Sequence, residues 1–259
     1  MYKRGQLTLF IILGIMVVVV VSSYILFFSD YSPLSYFNKD LKNPNDYISE
    51  CVTFAAEDVL SSYLDNNFFF EEVENNYFRY NNDGVNENVP YLCTVGEFYK
   101  PCINQDPNLQ GRLVNDLTAQ LEVGIKSCFS KLKRDLEKKG YSVELIEGEI
   151  RVIPRLKDFQ ISIGNIVNLV DNEDIKSFSN FEVSINSNIF NLAKLATTIA
   201  NFESSLCAFD LTTWVRTNSE IMITRFRGGE QTKLYTLRHR NSNEEIKFAI
   251  KTCLLPAGI

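Results

Sequence analysis

One long apolar segment near the start of the chain constrains its fold more than any other feature. Residues 7–28 read LTLFIILGIMVVVVVSSYILFF and contain no charged side chain. As a helix rising about 1.5 Å per residue, this segment would span roughly 33 Å, enough for the hydrocarbon core of a bilayer. Lipid favours the helical form because an unpaired backbone group in hydrocarbon costs several kcal/mol. The sequence therefore predicts a transmembrane helix at 6–28.

The charges on either side of this segment predict its orientation. Lys3 and Arg4 precede it, whereas Asp30 and Asp40 follow it. Because positively charged flanks stay in the cytoplasm, residues 1–5 are predicted to be a cytoplasmic leader. The C-terminal domain is then extracellular and anchored to the cell membrane. A cleaved secretory signal is the alternative, although such signals usually have an apolar core of only about 7 to 15 residues.

Composition predicts a folded exported domain that does not bind nucleic acid. The chain is 45% hydrophobic, which is ample for a packed core. Its formal net charge is -6, whereas nucleic-acid binding depends on Lys and Arg side chains that neutralise phosphates. The partners predicted are therefore the membrane, crossed by a single span, and either further copies of the chain or an envelope protein.

Six cysteines follow the apolar segment. An even number in an exported domain favours three disulfides, although the sequence alone does not choose among the possible pairings. The spacing of Cys93 and Cys102 is unlike a CxxC motif and favours a loop-closing bridge. Free buried thiols, which pack as small hydrophobic groups, are the alternative. The candidates are Cys51, Cys93, Cys102, Cys128, Cys207 and Cys253.

Hydrophobic periodicity predicts an α+β domain after a polar linker at 29–43. Apolar residues spaced three and four apart predict helices at about 46–64, 107–139 and 188–202. Asp106 followed by Pro107 is typical of a helix start and predicts where the second helix begins. Gly140 is typical of a helix end and predicts where that helix stops.

From Gly140 onward, apolar and polar residues alternate, which predicts an antiparallel meander followed by hairpin-linked strands near the C-terminus. The predicted fold class is α+β, an antiparallel sheet packed by two or three helices. The predicted domains are an extracellular α+β domain at 44–202 and a C-terminal β-hairpin unit at 203–259 that packs on it or next to it.

An aromatic-rich stretch between the first two predicted helices is a candidate binding loop. Rings exposed on a loop could contact a glycan or a protein partner, but aromatic clusters also pack beneath long loops, and both alternatives stay open here. A second aromatic stretch lies at 91–99. The candidate binding residues are Phe68, Phe69, Phe70, Tyr77 and Tyr80.

The sequence contains none of the common catalytic or cofactor-binding motifs. There is no Gly-x-Ser-x-Gly elbow, phosphate loop, GxGxxG or HExxH. The single histidine, His239, lies between Arg238 and Arg240 and cannot build a metal site alone. No catalytic residue, cofactor or metal ligand is predicted. An envelope enzyme that uses a carboxylate pair is the remaining enzymatic alternative, without an identified pair.

The residues that lead into the apolar segment, Lys3-Arg4-Gly5-Gln6, resemble the class III signal peptide of archaeal type IV pilin-like proteins. In that family a membrane peptidase cuts after the glycine, and the apolar helix is kept as an anchor and then as the core of a filament. The resemblance implies processing between Gly5 and Gln6. Phe10 occupies the fifth mature position, where family members often carry a glutamate.

Most of the remaining chain is similar to single-pass surface proteins of small-genome archaea, a group with no assigned activity. The similarity covers the helices that carry Cys51 and Cys128, the strand that ends in FEVSIN, the ALA-type helix that follows it and the late FAIK strand. It implies topology and three disulfides. The implied pairs are Cys51 with Cys128, Cys93 with Cys102, and Cys207 with Cys253.

These features predict a membrane-anchored structural or interaction protein of the cell surface, pilin-like and processed between Gly5 and Gln6. The alternative is a membrane-tethered binding module that recognises a glycan or an envelope partner through the aromatic loop.

Overall fold

The computed structural model describes Met16 and residues 43–68, 76–82, 85–97, 100–171, 174–229 and 231–253. The chain divides into two compact units, Met1–Lys42 and Asn43–Ile259. Apart from Met16 and Asn43, the predicted leader, transmembrane helix and linker lie outside the described residues and stay predictions. Within the described ranges, no helix is long and apolar enough to cross a membrane.

The described part of the second unit is an α+β fold with two sheets and four helices, so the predicted fold class is confirmed at this level. In chain order the elements are α1 (Pro44–Asp65), β1 (Tyr77–Asn82), β2 (Val85–Thr94), β3 (Ile103–Asn104), α2 (Leu109–Lys138), β4 (Ser142–Ile146), β5 (Ile150–Pro154), β6 (Asp158–Asp171), β7 (Asp174–Asn186), α3 (Ile189–Leu206), α4 (Leu211–Thr217), β8 (Ile221–Arg227), β9 (Thr232–His239) and β10 (Glu245–Lys251).

The first sheet has six strands in the order β1-β2-β10-β9-β8, and the short β3 pairs with β2. Strands β2 and β10 are parallel, with Tyr91 opposite Ala249, whereas the other pairs are antiparallel. The sheet predicted from alternation was antiparallel throughout. Alternation reports which face of a strand is buried and not the direction of its neighbour, so the parallel pair was missed.

The second sheet has four strands and is built on the long strand β6. Strand β7 pairs along one edge of β6, while β4 and β5 pair one after the other along its opposite edge. The register of β6 against β7 shifts between Ile163 and Ile166, at a bulge. Gly148 passes the bulge so closely that a Cβ there would lie 2.2 Å from the carbonyl oxygen of Gly164. Glycine is therefore required at position 148.

Helices α1, α2 and α3 lie between the two sheets. Helix α1 contacts β7, β10 and α2, helix α2 contacts β4, β5 and α3, and helix α3 contacts β2, β9 and β10. The predicted stripe of α2 is confirmed, since all of its members are at most 2% exposed. They are Leu109, Leu113, Leu117, Leu121, Ile125, Cys128, Leu132 and Leu136.

The ends of the helices differ from prediction in ways that local contacts explain. Helix α2 begins at Leu109 and not at Pro107, because the Asp106 carboxylate accepts from Nε of Arg112 at 2.6 Å and does not cap the helix. The helix stops before Gly140, whose φ of +93° favours glycine, as predicted. The short helix α4, which the periodicity did not reveal, is capped by Asp210.

All six cysteines form disulfides, in the three pairs that the resemblance implied, so the alternative of free thiols is wrong. The Cα–Cα distances are 5.9 Å for Cys51–Cys128, 5.4 Å for Cys93–Cys102 and 5.8 Å for Cys207–Cys253, all within the range of native bridges. The first joins α1 to α2, the second closes the loop between β2 and β3, and the third ties the end of α3 to the residues after β10.

Candidate interaction surface

The six-stranded sheet has one face against the helices and one face turned away from them, which we call the outer sheet face. Along β9, Tyr235 and Leu237 lie on the helix side, so Leu234 and Thr236 lie on the outer side. Cross-strand partners share a face, so the pairing register identifies the other members. They include Phe78 and Tyr80 on β1, Glu87, Val89 and Tyr91 on β2, Glu245, Lys247 and Ala249 on β10, Arg238 on β9, and Met222, Thr224 and Phe226 on β8.

The outer sheet face is concave because the sheet curls until its two edge strands approach each other. The rings of Tyr80 on β1 and Phe226 on β8 lie 5.6 Å apart, although these strands are at opposite ends of the strand order. A Cβ added at Gly228, just after β8, would lie 3.0 Å from the ring of Phe78. Strand twist, accumulated over the sheet, brings the edges together.

One end of this concave face is filled by side chains of the sheet itself. Val89, Leu234 and Ala249 form a small buried core, at most 3% exposed, and Phe78, Tyr80 and Tyr91 pack against it. The rings of Phe78 and Tyr91 meet edge to face at 6.4 Å. This end therefore holds the curled sheet together.

Beyond Tyr80 and Phe226 the concave face opens into a cleft of about 350 Å³, which we call the sheet cleft. Phe226 is 51% exposed there, so its ring is available to a partner. Aromatic surface beside a few polar groups is the usual composition of ligand sites. The lining residues are Tyr80, Thr224, Arg225, Phe226, Leu234, Thr236, Glu245 and Lys247.

A row of alternating charges crosses the outer sheet face from β2 to β9. Nζ of Lys247 lies 2.7 Å from Oε2 of Glu87 and 3.8 Å from Oε1 of Glu245, and Nε of Arg238 lies 2.9 Å from Oε2 of Glu245. Partly exposed pairs of this kind contribute less than about 1 kcal/mol each to stability. Their main effect is to hold charged groups in fixed positions beside the aromatic rings.

Only part of the predicted binding loop reaches this surface. Phe68 is 1% exposed, packs against Tyr63 and donates its backbone N–H to the Tyr63 carbonyl, so it belongs to the core. Phe69 and Phe70 lie outside the described residues. Tyr77 lies on the opposite side of β1, beneath the guanidinium of Arg79. Tyr80 alone among the described candidates lines the sheet cleft.

A buried polar network lies behind the sheet, where α3 meets β9. Glu203 is 0% exposed, and its carboxylate accepts from Nζ of Lys233 at 2.5 Å, from the hydroxyl of Tyr235 at 2.5 Å and from the backbone N–H of Phe209 at 3.2 Å. Burial, and then the hydrogen bond to Glu203, raise the pKa of Tyr235. The network anchors β9 from the helix side.

A second polar network surrounds His239, which lies at the end of β9. In the following turn, the carboxylate of Glu244 accepts from the hydroxyl of Ser187 at 2.5 Å and from the backbone N–H of Asn188 at 2.8 Å. Asn188 is the N-cap of α3 but makes no capping bond with its own side chain. The Ser187 hydroxyl oxygen in turn accepts from the backbone N–H of Ile189 at 3.2 Å. Glu244 and Ser187 therefore cap α3 together, and Glu244 places a negative charge at the positive end of the helix dipole.

Across the described ranges, no group of three or more His, Cys, Asp or Glu residues is arranged to hold a metal ion.

No protein-family model, curated protein or solved structure matches this chain.

Proposed function

We propose that this chain is a membrane-anchored cell-surface protein that acts by interaction, with a cytoplasmic N-terminus and an extracellular domain. The observation that carries the proposal is the pairing of all six cysteines in three disulfides within one compact unit. Structural disulfides form and persist outside the cytoplasm. The apolar segment at 7–28 supplies the anchor that would keep an exported domain at the membrane.

The chain is proposed to be processed like a type IV pilin, between Gly5 and Gln6. We expect mass spectrometry of the protein from native membranes to find Gln6 at the N-terminus. Replacing Gly5 with valine should abolish this cut, because in the family that the segment resembles the peptidase cuts after the glycine. Gly14→Val is the matched control and should be processed normally. An N-terminus at Met1 or Tyr2 would exclude pilin-type processing, and one beyond residue 28 would exclude the anchor.

A second candidate function is a membrane-tethered binding module that uses the sheet cleft. The contact of Tyr80 with the half-exposed Phe226 favours it, since paired rings next to fixed charges suit a glycan or an envelope partner. The binding residues then come from β1 and the C-terminal strands and not from one loop.

The double variant Tyr80→Ala with Phe226→Ala tests this module. Buried aromatic anchors dominate many interfaces, so we expect the variant to bind purified envelope polysaccharide or envelope protein at least about tenfold more weakly. The measurement is cosedimentation of the chain with each fraction. Phe54→Ala, which removes an aromatic ring exposed to a similar degree on α1, should bind normally. Equal binding by the double variant and the natural chain would argue against the sheet cleft.

A further inference from the structure

One buried asparagine side chain joins the end of α1 to the six-stranded sheet. Asn67 is 6% exposed, and its backbone is left-handed, with a φ of +52°. Its Oδ1 accepts from the backbone N–H of Lys247 on β10 at 2.6 Å. Its Nδ2 donates to Oε1 of Glu87 on β2 at 3.4 Å. Two neighbouring strands therefore fix the orientation of this carboxamide.

Glu87 connects the carboxamide of Asn67 to an amine. While its Oε1 accepts from Asn67, its Oε2 accepts from Nζ of Lys247 at 2.7 Å. Glu245 also approaches Nζ, but only to 3.8 Å, and it is paired with Nε of Arg238 at 2.9 Å. Glu87 is therefore the carboxylate that contacts both the amine and the carboxamide.

These contacts supply the groups that acyl transfer requires. The Lys247 amine is a nucleophile once it gives up a proton, and Glu87 is placed to take that proton. The backbone N–H on Oδ1 of Asn67 polarises the carbonyl and stabilises negative charge that develops on the oxygen during attack. Because Asn67 is held against the backbone of Lys247 itself, the flexible side chain of that residue can bring Nζ to Cγ by rotation.

A small leaving group has a route out of this site. Asn67, Glu87 and Lys247 all line a cleft of about 300 Å³ between the end of α1 and the turn after β9. Ammonia is close in size to a water molecule, which occupies about 30 Å³ in the liquid. The cleft is therefore large enough for ammonia to leave.

We propose that Lys247 and Asn67 form an intramolecular isopeptide bond. Glu87 takes a proton from the Lys247 ammonium, and the amine lone pair attacks Cγ of Asn67 while the carbonyl electrons move to Oδ1. Glu87 then protonates Nδ2 as the carbonyl re-forms and the Cγ–Nδ2 bond breaks. The new amide nitrogen gives its second proton to the departing ammonia, which leaves as ammonium. One C–N bond forms and one breaks, so no oxidant or reductant is needed.

This bond joins residues that lie 180 positions apart in the sequence. It ties α1 to β10, as the Cys51–Cys128 disulfide ties α1 to α2. Unlike a disulfide, an amide bond withstands thiol reductants. The cross-link does not depend on the proposed membrane topology, because all three residues belong to the unit Asn43–Ile259.

Peptide mapping of the full chain, purified in detergent and then reduced, alkylated and digested with trypsin, tests the proposal. We expect the peptide 43–79, which contains Asn67, to be joined to 241–251, in which Lys247 stays uncut. The joined peptide should weigh about 17 Da less than the two peptides together, the mass of one ammonia. Complete cleavage after Lys247, with 43–79 recovered alone, would overturn the proposal.

Lys233 is an internal control in the same digest. Its ammonium contacts the Glu203 carboxylate and the backbone carbonyl of Cys207. Among the residues that the structure describes, no side-chain amide accompanies this pair. Trypsin should therefore cut after Lys233, and a cross-link at Lys233 would contradict the requirement for an adjacent carboxamide.

Two glutamates provide a matched pair of variants. Glu87→Gln keeps the size of the side chain but cannot carry the proton, so we expect cross-linking to slow by at least about 100-fold. Glu245→Gln alters the other carboxylate near Nζ and should cross-link at the natural rate. Equal rates in the two variants would overturn the role of Glu87. The map of the natural chain stays decisive even if a substitution disturbs folding.

Discussion

Replacing Cys51 and Cys128 together with alanine is expected to lower the free energy of unfolding by about 4 kcal/mol. The two cysteines are separated by 77 residues, so their bridge removes much of the freedom of the unfolded chain. Both side chains are also buried, at 6% and 2% exposure, where α1 meets α2. The bridge holds together the two helices on which the four-stranded sheet packs.

Urea unfolding of residues 43–259 under non-reducing conditions measures this effect. The matched control replaces Cys93 and Cys102, which are only 9 residues apart, and the expected loss is about 2.5 kcal/mol because the closed loop is short. Equal losses for the two double variants would contradict the account in which the first bridge joins distant parts of the domain.

Glu203→Ala is expected to destabilise the domain by about 3–5 kcal/mol, the second large effect. The substitution leaves the ammonium of Lys233, which is 15% exposed, without its carboxylate and the buried hydroxyl of Tyr235 without its acceptor. Glu203→Gln retains an oxygen that accepts from Tyr235 and Phe209 but loses the charge, so it should fall between the natural chain and Glu203→Ala.

The same unfolding assay, with Glu182→Ala as the control, tests this network. Glu182 is exposed on β7, and its loss should change stability by less than about 0.5 kcal/mol. Combining Glu203→Ala with Lys233→Met should recover part of the loss, because no unpaired ammonium remains buried. Purely additive effects of the two substitutions would mean that Glu203 and Lys233 do not interact.

The helices could be predicted from the sequence because their information is local. The stripe of α2 recurs at steps of three and four, and Gly140 ends the helix through its own backbone preference. Helix α4 has only seven residues, too few for a periodic signal. The start of α2 was misplaced because Asp106 binds Arg112, a choice between two local partners that the sequence does not decide.

The outer sheet face could not be predicted because it depends on pairing between distant segments. Tyr80 and Phe226 meet only because β10 inserts beside β2 and the sheet then curls. Alternation in the segment 221–227 places Phe226 on one face of its strand, and this is the one local signal for it. Nothing local connects that strand with β1, more than 140 residues earlier.

The same limit applies to the polar network around His239. The sequence shows only that His239 lies between two arginines. The fold instead buries the imidazole against Asn188, because the turn after β9 caps α3 through Glu244. A capping residue supplied by a remote turn has no signature within the helix that it caps.

Labelling of intact cells with a membrane-impermeant amine-reactive biotin tests most directly whether the domain lies outside the cell. Lys126 and Lys176 are exposed on α2 and β7, and peptide mapping reports their modification. We expect both lysines to be labelled in intact cells while a cytoplasmic protein stays unlabelled. Labelling of Lys126 and Lys176 only after lysis would place the domain in the cytoplasm and contradict the account.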